Sequence, residues 1–375
     1  MRIFTITGTG VIETDDLVPL LTAKLPAQGY VWIACARQEF EALQAKIQTT
    51  LQALCGMQLV DLHVSDLLNM QLPSHYDYTS QYDILVFRRL AASRGESALT
   101  PPSLPRQRAA ARGGPPILRR IDTSPVGFTV FDHILLTVHP DDCTVLNTYA
   151  SKLLSAASAE SHAAGARLPT GPADLMLRIV NQMVDGYLDL RRELTHQLDH
   201  WQTELLNPKT RFNNWNAMLE ARQSLHQLDE VCEDQRSALQ DWIEALKTWP
   251  EADTPLQQRD RDLLQVRSRD VLEHIERVVH HVRRLEQSAE TAVQMHFNAQ
   301  SHRTNEIMRT LTVLTAIFLP LNLIAGIFGM NFEFIPLLHR SNGFWLAMVL
   351  MLSIASGLVV FFWRKRYLER SARHD

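Results

Sequence analysis

The longest regular pattern in the chain is a run of apolar positions separated by alternating steps of four and three residues. Val271, Ile275, Val278, Val282, Leu285, Ala289, Ala292 and Ala299 keep this rhythm, with only His296 out of class. A period of 3.5 held over about four heptads predicts a long helix that packs on other helices or on copies of itself. No helix breaker falls between Thr254-Pro255 and Pro320, so the helix should run on into the uncharged stretch Leu311 to Phe328. That stretch has 18 residues, and a second, Phe344 to Trp363, has 20. At about 1.5 Å per residue, each is long enough to cross a hydrocarbon core of about 30 Å.

Charge sets the orientation. Arg364, Lys365, Arg366, Arg370 and Arg373 follow the second stretch, whereas the short linker between the two offers only Arg340, with Glu333 nearby. The positive-inside rule puts the C-terminus in the cytoplasm, and two crossings put the N-terminus there too. Trp345 and Trp363 suit interfacial anchors. Residues 1–16 show neither the basic start nor the apolar run of a secretory signal, so the N-terminal region is expected to stay in the cytosol.

The first apolar stretch is unusual because its polar residues share one side. At about 100° per residue, Asn305, Met308, Thr312, Thr315, Leu319, Asn322 and Gly326 fall within an arc of roughly 100°. Amide and hydroxyl groups inside a bilayer need partners or water. The stripe therefore points to a pore or a tight bundle. The competing reading is that Thr312 and Thr315 bond back to their own helix and Asn322 joins neighbouring helices.

Two further periodic stretches, Ala173 to Leu206 and Asn213 to Trp249 with Pro250 as its stop, are helices able to cover the long one. Earlier residues read differently. Met1 to Ile6, Tyr30 to Ile33, Tyr82 to Phe87 and Phe128 to Val138 are β-rich, with helical stretches near Gln38 to Cys55 and Pro140 to Ser158. The expected organisation is a cytosolic α+β domain over 1–165, a helical region and stalk over 166–308, and two transmembrane helices with a basic tail over 309–375. The segment Ala91 to Arg120, rich in Pro, Gly, Ser and Arg, is expected to be a surface loop.

Composition excludes more than it assigns. A net charge of -4 over 375 residues argues against a nucleic-acid partner, which requires a basic face. Cysteines 35, 55, 143 and 232 are far apart, without a C-x-x-C pair, and read as reduced, mostly buried thiols. No nucleophile elbow, H-E-x-x-H or kinase set suggests an enzyme, and Gly8-Thr9-Gly10 is too little for a phosphate loop. His196/His200 and His274/His281 have helical spacing but no further zinc ligands to go with them.

The stretch Thr304 to Phe334, with Gly329-Met330-Asn331 closing the first span, resembles the pore helix and signature loop of the CorA-type magnesium transporters. The resemblance implies a homopentamer in the inner membrane, with five copies of the first span around a common path. It makes Gly329, Met330 and Asn331 the ion selectivity loop, with Asn331 as the outer ring. Asn305, Met308, Leu311, Thr312, Thr315, Leu319 and Asn322 would line the path. The implied cargo is Mg²⁺, with Co²⁺ or Ni²⁺ as further candidates, driven by membrane potential. Asp270, in Arg269-Asp270-Val271, resembles the family's regulatory carboxylate, which binds Mg²⁺ between subunits. Pro336 is followed by Leu337, Leu338, His339 and Arg340 rather than an acid, and the region around Val184-Asp185-Gly186-Tyr187 is less acidic than its usual counterpart. A ZntB-like Zn²⁺ transporter of the same fold stays open, although Met330 favours the magnesium branch. A membrane-anchored coiled-coil scaffold explains the heptads but not the polar stripe.

Overall fold

A computed structural model describes residues 1–8, 10–17, 29–92, 121–156, 168–206, 215–250, 254–330 and 343–365. The chain divides into two compact units, Met1–Glu290 and Thr291–Asp375.

The first unit is built on a seven-stranded sheet. Its strands are β1 (Arg2–Thr7), β2 (Gly10–Thr14), β3 (Gly29–Ala36), β4 (His75–Tyr78), β5 (Asp83–Arg88), β8 (Pro125–Val130) and β9 (Ile134–His139). They lie in the order β2-β1-β3-β9-β8-β5-β4. Only β3 and β9 pair in parallel; the other neighbours are antiparallel. Alternation along β3 explains why both faces are covered. Val31, Ile33 and Cys35 turn to a core shared with Phe40, Ile47 and Leu51 of α1 (Arg37–Cys55) and Val64 and Leu67 of α2 (Asp61–Leu68). Tyr30, Trp32 and Ala34 point the opposite way, into a core with Leu146, Ala150 and Leu153 of α3 (Thr144–Ala156) and with three long helices. The α2 layer lies so close to β8 that a Cβ on Gly127 would come within 2.3 Å of Leu67 Cδ2, and the end of the leucine side chain would have to move to admit one.

The long helices are α4 (Pro172–Leu206), α5 (Trp215–Thr248) and α6 (Pro255–Phe328). On α6, Val271, Ile275, Val278, Val282 and Leu285 are buried in the core shared with α4 and α5 and Ala289 is partly buried, so this part of the heptad seam is satisfied by helices of its own chain; Ala292, in the second unit, is buried as well. Burial stops there, and Ala299 is exposed. Polar contacts fix the register. Asn181, Thr195 and Gln202 of α4 meet His274, His281 and Ser288 of α6, so these two helices run parallel. Arg222, His226 and Asp229 of α5 meet Glu290, Glu286 and Arg283, so α5 runs antiparallel to α6. Trp242 of α5 donates from Nε1 to Ser268 Oγ at 3.0 Å, and Gln235 Nε2 donates to the Arg88 carbonyl, tying α5 to both α6 and the sheet.

Several local expectations change. The Phe128 to Val138 run is two antiparallel strands, broken where Asp132 and His133 interrupt the apolar pattern and Phe131 N–H bonds to the Ile134 carbonyl at 2.9 Å. Ala91–Ala92, expected in the loop, pairs with Ile121–Asp122 as the short ribbon β6·β7, while residues 93–120 lie outside the described residues. Strands β2 and β4 and helix α2 have patterns too short to stand out in the sequence. All four cysteines are free, three of them buried, and burial pushes the Cys35 thiol up to about 12.

The second unit holds the end of α6 and α7 (Gly343–Arg364). Both are apolar enough to cross a membrane, with mean hydropathy of 2.2 and 2.4 in their most apolar windows.

Candidate functional site

Within the membrane part of α6, Asn305, Met308, Leu311, Thr312, Thr315, Leu319 and Asn322 are all exposed in the single chain. The protein-covered side carries Val313, buried at 3% exposure, with Ala316, Ile317, Pro320, Leu321, Ile324 and Phe328 partly covered. At about 100° per residue the centres of these two sides lie on the order of 150° apart. The polar stripe thus faces away from the surface that the unit buries.

The hydroxyl groups already have partners. Thr312 Oγ1 donates to the Met308 carbonyl at 2.7 Å and Thr315 Oγ1 to the Leu311 carbonyl at 2.8 Å. Each threonine spends its one proton on its own helix and keeps oxygen lone pairs for outside donors. The helix then ends at Gly329, whose N–H reaches the Ala325 carbonyl at 2.9 Å. A Cβ at Gly329 would sit 3.0 Å from that same oxygen, so a side chain there would push the terminal carbonyl aside. Met330 is half-exposed, and Asn331 lies outside the described residues.

Asp270 belongs to the first unit. It lies on the wall of a cleft of about 430 Å³, bounded by Tyr149 and Lys152 of α3, Arg178, Asn181 and Asp185 of α4, and Arg267 of α6. Its side chain is 61% exposed. His274, one turn on, faces two carboxylates at once: Nε2 stands 3.9 Å from Asp270 Oδ1, and Nδ1 stands 3.6 Å from Asp185 Oδ1 and 3.2 Å from Asn181 Oδ1. Asn181 Nδ2 in turn donates to Asp185 Oδ2 at 3.1 Å. Because the two ring nitrogens point apart, these groups do not converge on one point, and no cluster of three or more metal-type ligands occurs among the described residues.

The other paired histidines differ, and the side chain of His200 lies outside the described residues. His281 lies against Thr195 at 3.4 Å and edge-on to Tyr187, with burial and the charges of Arg191 and Arg284 holding its pKa below the ordinary value. His196 is exposed on α4, and nothing brings it to Asp270.

Paired with Arg178 and Arg267 of the cleft wall is a group not foreseen from the sequence. Asp174, at the third position of α4, is buried; it accepts the Thr170 N–H at 3.0 Å and pairs with Arg178 at 3.3 Å and with Arg267 of α6. Gly171-Pro172-Ala173-Asp174 is a recognisable helix start, but an acid there reads as a cap satisfying backbone donors. Nothing local announces an arginine 93 residues further along the chain.

The fold is found among solved structures: the complete structure of the CorA magnesium transporter from Methanocaldococcus jannaschii aligns with a TM-score of 0.69, covering 97% of this chain and 98% of that one at 19% identity. Cobalt/magnesium transport protein CorA of Thermotoga maritima is 28% identical over 194 residues, 52% of either chain, so the matched region spans about half the length of that relative. Magnesium transport protein CorA of Haemophilus influenzae is 25% identical over 248 residues, 66% of this chain and 73% of the relative. The model of the family described as CorA-like Mg²⁺ transporter protein matches residues 28–366, from the third strand of the sheet to the end of the second apolar helix, and the chain belongs to that family.

Proposed function

We propose that this chain carries divalent cations across a membrane, Mg²⁺ first among them, through a water-filled path lined by the α6 stripes of several identical subunits. The observation that carries this reading is the stripe itself: seven exposed positions opposite the protein-covered side of α6, leading to Gly329-Met330-Asn331. A single subunit would turn these polar groups to lipid at considerable cost, whereas a ring of five turns them to water.

The chemistry suits a hydrated ion. Mg²⁺ gives up its water reluctantly, and neutral amide and carbonyl oxygens can accept hydrogen bonds from its bound water without stripping it. Thr312 and Thr315, their protons already committed to the helix, add acceptors of the same kind. Met308, Leu311 and Leu319 supply apolar constrictions that close by losing water. A divalent ion gains about 4.6 kcal/mol per 100 mV, which is enough to drive accumulation without nucleotide.

Family membership supports the remaining assignments, which are part of the same proposal. The protein would be a homopentamer of the inner membrane with both termini in the cytoplasm, the parts dividing near 165 and 308. Asp270 would sense cytosolic Mg²⁺ at a subunit boundary, its exposed carboxylate leaving room for a neighbour's ligand. Relatives named for magnesium and for cobalt support Mg²⁺ first and Co²⁺ beside it; Ni²⁺ is a further candidate cargo and Zn²⁺ the competing one.

The test is metal-resolved flux into liposomes holding the purified protein, with membrane potential and pH gradient imposed separately. Mg²⁺ entry that follows the potential is expected, and Asn331→Ala should cut it at least about tenfold while the oligomer persists. Zn²⁺ entry driven by the pH gradient would support the zinc reading. Flux no greater than in protein-free liposomes, and unchanged by substitution of Asn331 or Asn322, would leave a scaffold.

A further inference from the structure

The helical positions next to Asp270 supply part of what its carboxylate can pair with inside its own chain, beside Lys152 of α3 and the Asp174-bound Arg178 of α4 on the wall of the same cleft. At three and four residues' distance stand Val266, Arg267, Glu273 and His274. Side chains at these spacings meet on a helix surface, so Arg267 is the one permanently charged cation among them. It also lines the same cleft as Asp270. Left to itself, Arg267 would neutralise Asp270 and compete with any metal ion there.

It is held elsewhere. Arg267 reaches the carboxylate of Asp174, whose side chain is only 4% exposed and which Arg178 and the Thr170 N–H also engage. An exposed pair with Asp270 would be weak and screened by salt. Withdrawing a guanidinium from a buried carboxylate would leave charge uncompensated in a poorly solvated place. The balance therefore keeps Arg267 in the triad and Asp270 open to solvent.

We propose that Asp174 is a positioning residue for the Asp270 site: by holding Arg267 in a buried triad, it keeps Asp270 an unneutralised ligand for a divalent cation. The inference rests on the reading of Asp270 as the regulatory carboxylate.

The experiment uses the full-length protein in liposomes and measures the Mg²⁺ concentration on the cytosolic face that halves cation flux. Asp174→Asn frees Arg267 and should raise that concentration about three- to tenfold, the scale of one added cation beside a bound divalent ion. Adding Arg267→Gln removes the competitor and should restore the wild-type value to within about twofold. A structural defect alone would not be rescued this way. Val266→Arg, at a position 63% exposed, places a guanidinium one turn from Asp270 beyond the hold of Asp174, and should raise the concentration similarly even where Asp174→Asn does not assemble. The proposal is overturned if Asp174→Asn leaves the midpoint in place, if the double variant is shifted as far as the single one, or if Val266→Arg has no effect. Asp270→Asn separates the two levels. Inhibition that survives it removes the regulatory reading and this inference with it, whereas inhibition lost in Asp270→Asn but unmoved in Asp174→Asn removes only this inference.

Discussion

Two stretches of α6 carry stripes of nearly the same period and meet different fates. From Val271 to Leu285 the stripe is apolar and is buried in one core with residues of α4, α5 and the sheet. From Asn305 to Asn322 it is mixed polar and apolar, and every member is exposed. Periodicity announces a face in both cases but does not say what covers it. In the first stretch the chain supplies its own cover. In the second the covered side is the opposite one, and the polar side is left for water, lipid or another subunit. Helical spacing is thus evidence of a contact, and the chemistry of the residues decides with whom.

The contrast can be broken most directly by charge. Ile275→Asp places an unpaired carboxylate at a position with no exposure and should cost about 4 kcal/mol or more, read as an early urea transition in the circular dichroism. Leu319→Asn, one of the exposed set, should move that transition by less than about 1 kcal/mol. Equal losses would end the distinction. A milder probe is Trp242→Phe, which removes the indole N–H that Ser268 accepts and leaves a small void at a fully buried position; a loss of about 2 kcal/mol is expected in the same titration.

Acid sharpens the α4–α6 side. His281 is held below its ordinary pKa chiefly by burial and then by Arg191 and Arg284, so the folded state binds fewer protons than the unfolded one. Stability is intact above the ordinary histidine value and is lost as pH falls through the depressed one. His281→Gln should therefore flatten the acid limb of a plot of melting temperature against pH, and an unchanged limb would place the acid sensitivity elsewhere. The smallest effect belongs to Thr312→Val and Thr315→Val. Each gives up a bond to its own helix, so thermal stability should change by no more than about 0.5 kcal/mol. A larger loss would mean that these hydroxyl groups face a partner within the chain.

Long elements were legible because repetition accumulates signal. The 74-residue α6, the helices on either side of residues 207–214, and both apolar spans stand out from spacing and from the absence of breakers. Short elements were not. Strand β4 has four residues and helix α2 eight, too few for a period to declare itself, and what holds them is packing against partners distant in sequence. The candidate sites divide the same way. The stripe and its closing triplet are local and readable, as is Asp270 by resemblance. The surroundings of Asp270 are not, because Asp185, Asn181 and Asp174 come from a helix some ninety residues earlier in the chain.

The sequence by itself determined where helices and spans lie, which side of each is apolar, and that a polar stripe ends at Gly329-Met330-Asn331, since all of these follow from residue type and spacing along one chain. Tertiary structure alone decided that the heptads are covered from within, that His274 stands between two carboxylates, and that Arg267 turns to Asp174 rather than Asp270. Those outcomes depend on which distant groups share a poorly solvated space, where an unpaired charge is costly, and no local pattern carries that information.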